Sequence, residues 1–530
     1  MSDDTPKLYN SKDDPPPMAP DPIVAGPCPI TPLGHGVGVY WFLDTTFSVR
    51  SINERQMTQH VLNGLFGGRD QWLANTFPPL RQNNEIRWHH QNAVLYLVRE
   101  CIKCGFFDPG VSLRGLGVWT EPTDRDPRAL AVHQGNQILQ IEYDAQDRPT
   151  ISQLPPGQIG AHVYQSSSAM PHFAEAPVGT DVGELVYEHF KLWNWKQPDL
   201  DSRLVLGFAA GGVIVGAIQH RPTVWLVGDH GSGKSHILMS LERLLSKKWF
   251  SFYADATQAG LRKDLKTMAM AVGLDEVESK DDNRRGAAMI EMMRYSYDRD
   301  GGGYTRAGAD AERGNFDAMF IVGSINPPPM GAQDLSRQAI LELQPVLPTP
   351  DNRLAFDQSM MKIEKLGPQF RRRIIDQFGR FAETLAIYRE ALIRGGHDFR
   401  GADTWGTLLA AADLALSDGV PEISDAEEIA MHLDAFATEQ RQDIVPDHQN
   451  AWGILCTAPV EVGTGKTRCR LGELMRQALT DTYSSDELKY FGIRYYNEPP
   501  ADYFAIANQH QALNEVFRVS CPPITEPLVV

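Results

Sequence analysis

Eight consecutive residues, Gly228-Asp229-His230-Gly231-Ser232-Gly233-Lys234-Ser235, carry the clearest chemistry in the chain. They follow the spacing G-x-x-x-x-G-K-[ST], in which glycines let backbone N–H groups converge on phosphate oxygens at a helix N-terminus. Lys234 is placed to reach the outer phosphates, and the Ser235 hydroxyl to hold Mg²⁺. The flanks suit the motif. Thr223-Val224-Trp225-Leu226-Val227 reads as a buried strand leading in, and Ile237-Leu238-Met239-Ser240-Leu241 opens a helix leading out. The expected ATP-binding residues are therefore Gly228, Gly231, Ser232, Gly233, Lys234, Ser235 and His236.

Two later strand ends supply what hydrolysis needs. The apolar run at 268–274 ends in Asp275-Glu276. There the first acid is expected to hold Mg²⁺ through water and the second to polarise the attacking water. A kinase-type enzyme has no need of Glu276, so the pair points to hydrolysis coupled to motion. The run at 318–325 ends in Asn326-Pro327, an amide placed to sense the terminal phosphate. Arg337 follows, just ahead of the apolar strand at 339–343. It reads either as an arginine finger for a neighbouring subunit's site or as half of a surface ion pair. Arg299, Tyr304, Arg306 and Arg313 punctuate a glycine-rich stretch. That stretch is either a hairpin that grips a phosphate backbone and stacks on a base, or a plain surface loop. Arg371-Arg372-Arg373 is the most basic cluster, either meeting the phosphates from a lid or neutralising a helix face.

These groups need an α/β core whose parallel strands deliver them to one edge. At 530 residues the chain has room for two to four domains. Residues 1–30, rich in Pro and Asp, read as a flexible tail. Residues 31–170 read as an α+β accessory domain, with helices near 53–65 and 89–103, and 151–180 reads as a linker. Residues 182–400 form the P-loop domain with a helical lid. Residues 401–530 read as a small C-terminal domain, either helical or of winged-helix type, with helices near 404–416, 424–441, 470–481 and 508–518.

Six cysteines in a chain of this length do not make a disulfide framework, and Cys101 with Cys104 is at most half a zinc site. No apolar run is long enough to span a bilayer, and the acidic start lacks the plan of a signal peptide. A cytoplasmic protein is the expectation. The net charge of −17 argues against wholesale coating of nucleic acid, though not against a basic channel inside an acidic shell.

P-loop, Asp-Glu and strand-Asn-Pro, in that order, resemble the superfamily 3-like (AAA+-type) helicases of phages and mobile elements. Several stretches further resemble primase/helicase-type replication proteins of bacterial prophages. These are Phe107-Asp108-Pro109, Arg114-Gly115-Leu116-Gly117-Val118-Trp119, Val132-His133-Gln134-Gly135-Asn136, Arg221-Pro222-Thr223-Val224-Trp225 and Thr257-Gln258-Ala259-Gly260-Leu261-Arg262. The likeness runs from about residue 30 to 345. It implies a hexameric ring around nucleic acid, with ATP and Mg²⁺ at subunit interfaces. Lys234 and Ser235 would hold ATP–Mg²⁺, Asp275 and Glu276 would serve Mg²⁺ binding and hydrolysis, Asn326 would be the sensor, and Arg337 the finger supplied in trans. An acidic metal triad and a zinc ribbon are both missing from the N-terminal region, which leaves it to load, collar or bind replication partners. The expectation is an ATP-dependent, ring-forming helicase or translocase on single-stranded DNA in a bacterial host. Its rival is a P-loop ATPase that remodels a protein partner.

Overall fold

Short apolar runs broken by Gly, Pro and Asp make the N-terminal part antiparallel. The computed structural model describes residues 26–78, 80–82, 85–275, 283–299, 304–305, 313–314, 316–325, 327–328, 330–345, 350–442, 455–456, 458–462, 467–496, 503–507 and 513. β1 (Thr31–His35), β2 (Tyr40–Leu43) and β3 (Val49–Ile52) form one antiparallel sheet. α1 (Gln59–Leu65), α2 (Asp70–Thr76), the hairpin β4 (Leu80–Gln82)–β5 (Glu85–Arg87) and α3 (His90–Cys104) follow. Phe42, Leu62, Phe66, Leu73, Phe77 and Leu97 form their core. Ile30, 2% exposed, already belongs to it, so the end of the expected 1–30 tail is anchored. Residues 1–25 lie outside the described residues. α3 stops at Gly105, whose φ of 84° with ψ of −161° is a conformation open essentially to glycine alone.

After α4 (Pro109–Ser112), β6 (Gly117–Thr120), β7 (Leu130–His133), β8 (Ile138–Tyr143) and β9 (Pro149–Leu154) make a four-stranded meander. The hairpin β10 (Gly157–Ile159)–β11 (His162–Tyr164) comes next, so the first part of the stretch read as a linker is strand.

α5 (Asp181–Phe190) and α6 (Pro198–Val213) lead into the sheet that carries the P-loop. Its elements in chain order are β12 (Thr223–Gly228), α7 (Lys234–Leu245), β13 (Phe250–Tyr253), α8 (Gln258–Leu265), β14 (Met270–Leu274) and α9 (Asn283–Tyr297). The small hairpin β15 (Tyr304–Thr305)–β16 (Arg313–Gly314), β17 (Ala318–Ser324), α10 (Ala332–Leu335) and β18 (Gln338–Leu343) complete it. The five long strands are all parallel, in the order β13-β14-β17-β12-β18. Helices cover both faces, which is why these strands read as continuous apolar runs. In β14, Met270, Val272 and Leu274 meet α8 and α9, while the small Ala271 and Gly273 receive α6 and α7.

α11 (Pro350–Gln377), α12 (Phe381–Arg394), α13 (Phe399–Leu416) and α14 (Ile423–Gln442) follow. α13 lies so close on α6 that a Cβ at Gly207 would stand 2.0 Å from Leu408 O. This contact moves a boundary. The chain divides into compact units at 432/433, not at the 400/401 expected, because α13 is an interior helix of the larger unit. In the smaller unit, β19 (Pro459–Val462)–β20 (Thr467–Arg470), α15 (Leu471–Ala478), α16 (Thr482–Tyr490) and β21 (Ile493–Tyr496)–β22 (Tyr503–Ile506) surround Leu471, Leu474, Leu488 and Ile493. Apart from Leu513, the helix expected at 508–518 lies outside the described residues.

Candidate nucleotide-binding site

The P-loop turns between the end of β12 and the start of α7. Gly231 and Gly233 take φ of 81° and 94°, values that cost glycine little and other residues much. A Cβ at Gly228 would lie 2.4 Å from Leu343 O, so the loop leaves the sheet hard against β18. α7 has no side-chain cap, which leaves amide donors of its first turn for an anion. Lys234 Nζ donates to Gly228 O (2.6 Å) and Asp229 O (3.1 Å), with Ser232 Oγ at 3.4 Å. Those are neutral oxygens, and a phosphate oxygen is the stronger acceptor. Ser235 and His236 are exposed on the same first turn. The uncapped helix start, the two left-handed glycines and the lysine together fit a triphosphate.

An aromatic box holds this turn from behind. Trp193 Nε1 donates to Gly233 O (3.1 Å), and its indole occupies the space a Cβ at Gly233 would need. Trp193 packs edge-on against His189 and Phe356, each with ring centroids 5.3 Å away, and Phe356 meets His236 at 5.5 Å. Burial pushes the His189 pKa down to about 4, and its Nδ1 lies 2.6 Å from Ser359 Oγ. Trp193 and Phe356 stand outside the sequence motif, and only packing reveals them.

Asp275 follows β14, its N–H donating to Tyr253 O at 3.0 Å. A Cβ at Gly323 would lie 2.9 Å from Asp275 Oδ1 and 3.6 Å from Lys234 Cβ. The carboxylate and the P-loop lysine thus converge over a glycine of β17, and Ser235 with Asp275 is the pair suited to a divalent cation. A glycine inside a buried strand was the available signal for Gly323. Glu276 and Asn326 lie outside the described residues. β17, which leads to Asn326, sits between β12 and β14, so its tip shares their edge.

Arg337 lies at the opposite edge. Its carbonyl accepts from Thr223 N, at the start of β12 (3.2 Å). From there to Gly228 the strand rises roughly 16 Å at about 3.3 Å per residue. The half-buried guanidinium rests on Tyr297, with Cζ 5.5 Å from the ring centroid, donates to Gln333 O, and makes no ion pair among the described residues. Burial, then neighbouring Arg400, lowers its pKa below the usual arginine value. Among the described residues, then, the expected surface ion pair does not form.

Arg299 turns inward, its Nη1 reaching Ala217 O (3.3 Å) and Thr120 Oγ1 (3.4 Å), so it roots the hairpin instead of extending with it. Tyr304 and Arg313 lie on paired strands, their side chains outside the described set, and Arg306 lies outside it altogether. Arg371 and Arg373 meet neither expectation, while Arg372 does pair with an acid of its own helix face, Asp376. Arg371 donates to Leu244 O, Leu245 O and His172 O. Arg372 holds Asp376, Ala174 O and Glu175 O, while Arg373 holds Leu414 O and Val178 O. They pin residues 172–178 to α11.

No protein-family model matches the chain, nor does any curated protein. Among solved structures it is similar to "SCCmec type IV Cch - active helicase", at 9% identity over 93% of this chain and 86% of that one, TM-score 0.45. It is also similar to the apo NrS-1 C-terminal region (305–718), at 12% identity over 82% and 93%, TM-score 0.30. A full-length MCM homolog from Methanopyrus kandleri gives 14% identity over 58% and 72%, TM-score 0.32.

Proposed function

We propose that the chain is an ATP-driven DNA helicase or translocase that works as a ring, a hexamer, in the replication of a phage or other mobile element in a bacterial cytoplasm. One observation carries this reading: the candidate catalytic set is divided between opposite edges of one sheet. Lys234, Ser235 and Asp275 gather at the P-loop edge, while Arg337 waits at the other with no carboxylate partner among the described residues. An arginine so far from its own loop serves hydrolysis only in a neighbouring copy. Glu276 would polarise the attacking water and Asn326 orient it, with Mg²⁺ on Ser235 and Asp275. The hairpin β15–β16, with Tyr304, Arg306 and Arg313, would follow single-stranded DNA, and the N-terminal sheets would meet replication partners.

ATP hydrolysis by wild type and Lys234→Ala, with and without single-stranded DNA, tests this alongside particle mass. DNA-stimulated hydrolysis, lost in the variant and accompanied by a ring-sized mass, is the expected result. Hydrolysis indifferent to DNA would shift the reading to remodelling of a protein partner. The observation favouring that rival is the exposed apolar set Val37, Ile102, Phe106 and Val111 in the N-terminal part.

A further inference from the structure

Tyr297 stands where three parts of the proposed motor meet. It closes α9, and the chain runs from it through Asp298 and Arg299 towards the hairpin β15–β16. Its ring, 2% exposed, carries the Arg337 guanidinium. Its hydroxyl lies 2.9 Å from Thr404 Oγ1, and Thr404 donates to Ser336 O at 2.9 Å. A hydroxyl has one proton to give. Thr404 spends its own on Ser336, so Tyr297 is the donor to Thr404. The relay therefore ends on the residue before Arg337, and Tyr297 holds the finger twice: its ring faces the guanidinium, and its hydroxyl fixes the backbone through Thr404.

The same tyrosine is locked to the hairpin root and to the P-loop strand. Arg221 N donates to Tyr297 O (2.7 Å), and Arg221 Nη2 reaches Asp317 Oδ1 (2.7 Å) on the far side of the hairpin. His220 joins Asp298 Oδ1 at 2.8 Å and packs its ring 5.2 Å from that of Tyr297. Three residues after His220, Thr223 begins β12 and donates its N–H to the Arg337 carbonyl. A hairpin displaced by a bound strand would pull on this root, and the finger is attached to it.

We propose that Tyr297 is a positioning residue that ties the strand-gripping hairpin to Arg337, so that DNA engagement on one subunit sets the finger for its neighbour's site. This rests on the function proposed above. The test measures hydrolysis by the full chain with and without a single-stranded oligothymidylate, together with ATP affinity. Tyr297→Leu removes ring and relay. With DNA present its kcat falls about 100-fold, the cost of a roughly 1 Å misplacement of a catalytic group. KM and ATP affinity stay within roughly twofold, because the P-loop lies at the other edge. Tyr297→Phe keeps the ring and restores part of kcat, as does Thr404→Val.

Mixing separates positioning from misfolding. Tyr297→Leu subunits keep an intact P-loop with a displaced finger, and Lys234→Ala subunits have the reverse. Mixed rings recover hydrolysis that neither variant shows alone. The inference is overturned if wild type responds to DNA and Arg337→Ala abolishes hydrolysis, yet Tyr297→Leu behaves as wild type or the mixture shows no recovery. A wild type indifferent to DNA overturns the proposed function first, and this inference with it.

Discussion

Gly323→Ala adds one methyl group at the point where Asp275, the acid proposed to hold Mg²⁺, and the P-loop lysine converge. The new Cβ would stand 2.9 Å from Asp275 Oδ1, against an ordinary carbon–oxygen contact of about 3.3–3.6 Å. The carboxylate must retreat by roughly half an ångström, while Lys234 Cβ, at 3.6 Å, need not move. If a misplacement of about 1 Å costs about 100-fold, half of it costs about tenfold in kcat. The backbone does not object: Gly323 is outside the left-handed region, and alanine in place of a strand glycine stabilises by about 0.5–1 kcal/mol through lost unfolded-state entropy. The expected result is therefore a protein at least as stable as wild type, with kcat down about tenfold. Its Mg²⁺ midpoint should be raised and its metal-free ATP affinity unchanged. The assay is steady-state hydrolysis across a Mg²⁺ titration, beside a thermal melt. Wild-type kcat and Mg²⁺ dependence in the variant would refute the placement of Asp275 at the metal. A collapse of Tm would refute the claim that the added methyl acts only on the carboxylate.

Trp193→Phe keeps the packing behind the P-loop but removes the bond to Gly233 O, about 1 kcal/mol, so ATP affinity should fall about fivefold in calorimetry. Unchanged affinity even in Trp193→Ala would show that the aromatic box does not shape the loop. Asp201 is 2% exposed, its Oδ2 accepting from Gln197 N, and burial pushes its pKa up to about 7, with Glu342 adding to the rise. The folded chain then keeps a proton that the unfolded chain loses near pH 3.9, so stability falls between about pH 4 and 7, by up to about 1.4 kcal/mol per unit. Asp201→Asn keeps the acceptor without the charge, and its Tm advantage over wild type should grow from pH 5 to pH 8; parallel curves would contradict this. Arg221→Met strands Asp317 and leaves Val215 O and Ser296 O without their donor. Urea unfolding should register a loss of about 3–5 kcal/mol, and a loss below about 1 kcal/mol would show the hairpin root to be held elsewhere.

Much of the candidate nucleotide site is legible in the chain because its interactions are local. Two positive-φ glycines, a lysine and a helix start fall within eight residues, between a buried strand and an amphipathic helix. Asp275 announces itself in the same way, as the first polar residue after an apolar strand. Where neighbours in space are distant in sequence, composition misleads. The Pro- and Ser-rich stretch after 151 reads as a linker, yet part of it pairs as strands and residues 172–178 are held by three arginines some two hundred residues on. Those arginines look like lid or surface cations for the same reason: their carbonyl acceptors leave no mark on the local sequence. From the sequence α13 reads as part of a separate domain, because an interior helix and a small helical domain look alike until the partner that buries it, α6, is in place.

The sequence alone therefore determined the P-loop, the strand-borne acid and the α/β class, since each depends on dihedral preference and periodicity over a few residues. Only the tertiary structure decided that Gly323 lies under Asp275, that Trp193 backs the loop and that Arg337 faces away from it onto Tyr297. The first follows from the pairing of β14 with β17 and the other two from segments outside the strands packing onto the sheet, arrangements that long-range burial selects and no local preference encodes.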